Sequence, residues 1–250
     1  MQRVGRLVTS SGPLVLALAV IACGGHGAPG PGDTTVGNRG GRPTADAATP
    51  QATLADDLDE LQRAAREGDQ QSSWPERSTL LGWTADHRAV YRTLVCNPDE
   101  LGGRGPYCEL RVCAASARDG ADGPACEDAA QFELYGEIDF DRAAVAAAVD
   151  AAVRAVGPLD IGTARAPEDV RVDTAGKGLA VELGGARVVV MAPSDDDAVG
   201  IARAHVTYAA DSPDGACQLA LGDAQLRSEY EGVYGNVPYL FAAVACTGAR

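Results

Sequence analysis

Hydrophobic and polar positions alternate along much of this chain, and in two places they recur at helical spacing instead. Leu54, Leu58, Leu61 and Ala65 stand three to four residues apart. They follow Thr53-Leu-Ala-Asp56, a capping box with Asp in place of Glu, and Gly68 supplies a stop. A second helix is expected from Asp141 to Val156, closed by Gly157-Pro158. Its alanine-rich face carries Val145, Val149, Val153 and Val156 and should pack against a sheet. Asp139-Phe-Asp141 reads as its start.

The remaining apolar runs have the two-residue period of strands. Thr79 to Thr84 and Ala89 to Cys96 flank a turn at Ala85-Asp-His-Arg88, and Tyr107 to Ala115 follows a Gly/Pro-rich loop. Setting Cys96 opposite Cys108 places Leu94 on Leu110 and Val90 on Ala114. Arg92 opposite Val112 breaks this otherwise apolar face. A slip of one residue would turn every side chain over, so the match favours this register. Cys113 then points to the other face, and Cys126 is its natural partner across a Gly-rich loop. Gly184-Gly185 suits a two-residue hairpin turn between Gly178 to Leu183 and Ala186 to Ala192, with Val181 opposite Val188 and Glu182 opposite Arg187. Ala216 to Leu221 and Tyr239 to Cys246 pair with Cys217 on Cys246, Leu219 on Val244 and Leu221 on Ala242. The fold class is therefore α+β, mainly antiparallel β hairpins with one long Ala-rich packed helix and an N-terminal helix.

The ends of the chain change the picture. Arg3 and Arg6 precede an apolar run, Leu7 to Ala22, whose core from Leu14 is too short for a permanent membrane span. It ends in Val20-Ile-Ala-Cys23, which resembles the bacterial lipobox. The resemblance implies diacylglyceryl transfer to Cys23, cleavage after Ala22 and acylation of the new amino group with a fatty acid such as palmitate. A plain secretory signal with an incidental cysteine is the competing reading. Gly24 to Ala52 is rich in Gly, Pro, Thr and Ala and cannot bury enough surface to offset its ordering entropy. As a coil of roughly 28 residues it would reach about 25–30 Å. The expected organisation is a signal peptide over 1–22, a tether over 23–52 and one domain over 53–250. Gly24 after the cysteine, where Asp would signal inner-membrane retention, favours an outer-membrane address if the host has one.

Charge narrows the partners. The chain carries −14, and loss of Arg3 and Arg6 with the leader takes it to −16. Asp33 and Asp46 offset Arg39 and Arg42 in the tether, so the domain holds the excess. Such a surface repels phosphate backbones, which argues against nucleic acid. The membrane, reached through lipid, and an envelope protein are the expected partners.

Besides Cys23 the chain has six cysteines: Cys96, Cys108, Cys113, Cys126, Cys217 and Cys246. An even number in an exported protein implies disulfides, although free thiols or a metal cluster compete. There is no C-x-x-C, which weakens zinc and redox readings. Six cysteines allow 15 connectivities. The registers above favour Cys96–Cys108 and Cys217–Cys246, and facing favours Cys113–Cys126.

Leu81-Gly-Trp-Thr-Ala-Asp-His-Arg-Ala-Val-Tyr-Arg92 resembles the GWS-x-DG strand-turn-strand of certain secreted bacterial proteins and of TolB-type propeller blades. Asp211-Ser-Pro-Asp-Gly215 is similar to their SPDG turn. His87 stands where that pattern has Gly. The resemblance covers two short turns and implies no activity.

Catalytic motifs are scarce. There is no G-x-S-x-G and no H-E-x-x-H. His87 reads as a turn residue and His205 as part of a strand from Ala202 to Ala209. Ala175-Gly-Lys-Gly178 lacks the spacing and the hydroxyl of a P-loop. Asp195, Asp196 and Asp197 are weak candidates for a metal site, offering oxygen ligands for Ca²⁺. More simply, the three acids cap a segment from Ala198 to Arg203. No cofactor is expected. The leading expectation is a non-catalytic lipoprotein that binds a partner or supports an envelope assembly, with no deep polar pocket. The rival is an envelope hydrolase using carboxylates, with or without Ca²⁺, whose acids converge in a cleft.

Overall fold

The computed structural model describes residues 51–67, 76–97, 107–119, 123–133, 140–174, 178–193, 199–230 and 233–247. The leader, Cys23, the tether up to residue 50, Gly68, Asp139, Lys177, and the run Asp195, Asp196 and Asp197 lie outside the described residues.

In chain order the elements are α1 (Leu54–Glu67), β1 (Arg77–Trp83), β2 (Ala89–Asn97), β3 (Tyr107–Ala115), β4 (Ala125–Glu133), α2 (Arg142–Val156), β5 (Thr163–Arg165), β6 (Arg171–Asp173), β7 (Leu179–Leu183), β8 (Ala186–Met191), β9 (Val199–Asp211), β10 (Cys217–Tyr230) and β11 (Val233–Cys246). A 3-10 turn, Pro167–Asp169, precedes β6. Every strand pairing among the described residues is antiparallel, which fits the α+β class. The strands form three sheets: β1-β2-β3-β4, β11-β10-β9-β5 and β6-β7-β8.

Both helices begin at side-chain caps. Thr53 N donates to Asp56 Oδ2 at 2.8 Å and Asp56 N donates back to Thr53 Oγ1 at 3.2 Å, so two orphan amides of α1 are satisfied reciprocally. Asp141 Oδ1 accepts from Ala143 N and Ala144 N at the head of α2.

Alternation along the strands explains the layering. On β2, Val90, Leu94 and Cys96 face the helices, meeting Leu58 and Leu61 of α1 and Val145, Val149 and Ala152 of α2. Ala89 and Tyr91 face the second sheet, where Leu219, Leu221 and Val244 receive them. The reverse face of that sheet, with Ala220, Phe241 and Ala243, is covered by Leu179, Val181 and Leu183 of the third. The order is therefore helices, first sheet, second sheet, third sheet, and each central layer buries apolar residues on both faces.

Cys96–Cys108, Cys113–Cys126 and Cys217–Cys246 are bonded, each with a Cα separation of 4.0 Å. The hairpin registers have Leu94 on Leu110, Val181 on Val188 and Leu219 on Val244. Gly184 and Gly185 have φ of 56° and 80°, the left-handed pair that a type I′ turn requires.

One local expectation is corrected. From residue 199 to Arg203, the described part of the stretch that Asp195, Asp196 and Asp197 were expected to cap is strand and not helix: Val199–Asp211 is one long strand. Val199 and Ile201 are β-branched and two apart, and Gly200 and Arg203 are register partners of Arg227 and Gln225 on β10. Ladder pairing outweighs the pull of three acids towards a helix start. The described residues after Asp195, Asp196 and Asp197 thus offer these acids no helix to cap. Cys126, expected across a Gly-rich loop from Cys113, lies on β4, a strand paired with β3.

Candidate functional site

Two places gather the polar chemistry of the described residues. The first is a junction of turns. In the β1–β2 turn, Arg88 N donates to Thr84 Oγ1 at 3.0 Å, and His87 takes φ 64° where a glycine would be at ease. In the β9–β10 turn, Ser212 Oγ donates to Asp214 Oδ1 at 2.7 Å, and Gly215 has φ 70°. His87 Nε2 and Asp214 Oδ2 then meet at 2.8 Å. The hydrogen bond from Ser212, then those from His87 and the Ala216 amide, hold the Asp214 carboxyl well below the usual carboxylate range.

Serine, histidine and aspartate thus converge, but in the wrong order for nucleophilic catalysis. A triad needs the imidazole between hydroxyl and carboxylate. Here the carboxylate stands between the other two, and Ser212 Oγ also accepts from Cys217 N at 2.9 Å. The hydroxyl's partner is a carboxylate held low, hence a weak base, and Ser212 is 2% exposed. This junction fixes two turns and does not activate a nucleophile.

The second place is a pair of adjoining cavities between the first and second sheets. One, of about 200 Å³, has alternate residues of the first sheet as its floor, among them Tyr91, Thr93, Val95, Arg111 and Cys113. β11 and β8 form its walls through Tyr239 to Ala242 and Val188 to Val190. Arg111 Nε holds Asp128 Oδ1 at 2.8 Å, and its guanidinium also bonds Glu109. Burial pushes the Tyr91 hydroxyl up, and Asp119 and Tyr239 add to the effect.

The other cavity, of about 170 Å³, shares Ser78 and Leu240 with the first. It joins Glu76 ahead of β1 to Asp223 on β10, beside Tyr208. Burial pushes the Glu76 carboxyl up to about 7; the Cys96 amide, hydrogen-bonded to it, opposes the shift and Asp223 reinforces it. Gln51 Nε2 and Ser78 Oγ are enclosed there without hydrogen-bond partners among the described residues. His205 Nε2 lies 3.2 Å from Asp223 Oδ2, with an imidazole 56% exposed.

The residues named from sequence divide accordingly. Six cysteines are bonded in pairs, and His87 and His205 each meet one carboxylate. Cys23 and the candidate calcium ligands Asp195, Asp196 and Asp197 lie outside the described residues. Glu76 and Asp223 were not singled out. Neither had a local signal: Asp223 stands at the start of the polar far half of β10, and Glu76 lies ahead of β1. Among the described residues no group of three or more His, Cys, Asp or Glu is placed to hold a metal ion. No described helix is long and apolar enough to cross a membrane. The chain matches no protein-family model, no curated protein and no solved structure.

Proposed function

We propose that this chain is a lipoprotein of the bacterial cell envelope, anchored through lipid on Cys23, whose disulfide-stapled domain binds a protein partner without catalysing a reaction. The observation that carries the reading is the set of three disulfides behind a lipobox leader. Disulfides persist in oxidising compartments, and the leader addresses such a compartment. Gly24 favours the outer membrane where one exists. The acidic surface disfavours nucleic acid and suits basic protein surfaces.

In intact cells, a photocrosslinking residue at Val189, which is 45% exposed at the rim of the larger cavity, tests this. One recurrent envelope protein should be captured, and Cys23→Ser should lose it. Adducts that do not depend on Cys23 contradict the reading.

A second reading draws on Glu76 and Asp223. A carboxyl raised by burial and set beside a second carboxyl is the arrangement from which a general acid is drawn. It supports an envelope hydrolase, with Ca²⁺ on Asp195, Asp196 and Asp197 as an accessory. Hydrolysis of a glycoside and ester panel that Glu76→Gln abolishes while the fold is retained would favour it over partner binding.

A further inference from the structure

The second sheet ends in an open edge, and the register shows which amides face outward. β11 is its terminal strand and pairs with β10. Cys217 and Cys246 lie opposite each other at a Cα separation of 4.0 Å. That is the narrow, non-hydrogen-bonded kind of antiparallel pair, near 4.5 Å rather than about 5.5 Å. No register shift interrupts the ladder from there to Tyr230 opposite Val233. Alternation therefore puts Val244, Ala242, Leu240 and Pro238 in non-hydrogen-bonded positions, with their main-chain groups directed away from β10. Two facts agree. Pro238 has no N–H and fits only where the ladder needs none. Thr247 N donates to Ala216 O at 2.8 Å, which is the hydrogen-bonded step next to the cystine.

The larger cavity lies against this edge. Its floor uses every second residue of β2 and β3, the mark of a sheet face, whereas β11 contributes the consecutive run Tyr239 to Ala242. Successive side chains of a strand point to opposite faces, so a consecutive run is a strand seen edge-on. β8 contributes Val188 to Val190 in the same way. An added strand beside β11 would extend the second sheet towards Val95 and Arg111, the half-buried part of that floor.

Open edges are usually blunted by charge. β4, the terminal strand of the first sheet, carries exposed Glu127 and Asp128. From Tyr239 to Ala245, β11 carries no charged residue.

Charge selects the occupant. Around the floor, Glu109, Asp119 and Asp128 outnumber Arg111. Through Ser78 and Leu240 the groove continues to Glu76 and Asp223. Arg77, the neighbouring cation, is taken up by Asp57 and Glu60. A second copy of a chain carrying −14 is electrostatically disfavoured.

We propose that the open edge of β11 is a strand-addition site for an extended, basic segment of an envelope protein. The segment's main chain pairs with Leu240 and Ala242, the half-buried outward-facing positions of the edge, and a lysine or arginine reaches Glu76 and Asp223. The proposal rests on the partner-binding reading above and names the partner's chemistry. Main-chain pairing supplies affinity and alternate side chains supply selectivity, as in other strand-addition modes.

The test uses the whole mature chain and an octapeptide of four Lys-Val repeats. Two controls are its Glu-Val counterpart and a Lys-Val version methylated at alternate main-chain nitrogens. Amide exchange and affinity are read together. The Lys-Val peptide should protect Leu240 and Ala242. The Glu-Val peptide, and the Glu76→Gln, Asp223→Asn double variant, should each bind at least about tenfold more weakly. The methylated peptide should not bind. Equal binding of the methylated peptide, or protection elsewhere, overturns the site. So does edge protection without peptide that is lost on dilution, which assigns the edge to a second copy, or on deleting residues 24–48, which assigns it to the tether. If an envelope partner is captured but these amides stay unprotected, partner binding stands and this site falls. If the peptide protects them but no envelope partner depends on Cys23, the edge is a binding site and the envelope reading falls.

Discussion

Arg92 and Asp57 form an enclosed ion pair, 35 residues apart in the chain, that clamps α1 onto the first sheet. Arg92 Nη2 lies 2.5 Å and Nε 2.7 Å from Asp57 Oδ2, with side-chain exposures of 5% and 2%. Arg77 bonds the other oxygen of the same carboxylate, and Arg92 also donates to Ala52 O at 3.1 Å. In sequence Arg92 is the residue that spoils an apolar strand face. In the fold that face looks towards the helices, and the spoiling charge finds its partner there. Removing one member leaves a buried charge unpaired, so Asp57→Ala should cost about 3–5 kcal/mol. Replacing both, as Asp57→Leu with Arg92→Met, should cost far less. Urea unfolding of the three chains decides, and a loss under about 1 kcal/mol for Asp57→Ala would mean that the pair does not clamp the helix.

The disulfides carry an ordering. Cys217–Cys246 spans 29 residues and Cys113–Cys126 spans 13. By chain entropy the longer loop should stabilise by about 0.7 kcal/mol more. Each bridge has one buried end, Cys217 or Cys113, but Cys246 is half-buried where Cys126 is exposed, so losing the longer bridge uncovers more of the core. Cys217→Ala with Cys246→Ala should therefore lower the thermal midpoint more than Cys113→Ala with Cys126→Ala. The opposite order would show that native-state strain outweighs loop entropy here.

These bridges also show how much of the fold can be read from sequence. The hairpin registers were legible because cysteines, apolar neighbours and a Gly-Gly turn all fixed the same alignment. β4 was not legible: Ala-Cys-Glu-Asp-Ala-Ala-Gln-Phe-Glu has little strand propensity and is held by its pairing with β3. The far halves of β10 and β11 were missed for a similar reason. Their polar residues look like loop, but a ladder from Cys217–Cys246 to Tyr230–Val233 carries them. The Glu76 and Asp223 cavity joins residues 147 positions apart, and no local pattern announces such a meeting.

Glu76 makes the domain sensitive to pH. Burial raises its carboxyl from 4.5 to about 7, so the folded chain keeps a proton that the unfolded chain has released. Between those values stability should fall as pH rises, because the unfolded state binds fewer protons there. Glu76→Gln should flatten that slope and, allowing for solvent screening, stabilise the domain at pH 8 by about 1 kcal/mol. Denaturant midpoints from pH 4 to pH 8 provide the check, and an unchanged slope in the variant would refute the assignment.

At the turn junction the two partners should respond differently. His87 occupies φ 64°. His87→Gly should be well tolerated by the backbone, whereas His87→Val should lose about 1–2 kcal/mol because a β-branched residue resists the left-handed region. Asp214, held low by Ser212, His87 and the Ala216 amide, contributes stability above the ordinary carboxylate range. That contribution is lost as pH falls through its depressed value. Asp214→Asn should remove this part of the acid limb. Equal stability of the glycine and valine variants would contradict the turn geometry.

Intact mass of the mature chain, isolated from its native envelope without reduction, tests the anchored, disulfide-stapled account most directly. The account predicts an N-terminus at Cys23 carrying a diacylglyceryl group and an amide-linked acyl chain, with the six remaining cysteines lighter by three pairs of hydrogens. An unmodified N-terminus at or beyond Cys23, or six free thiols, would contradict it.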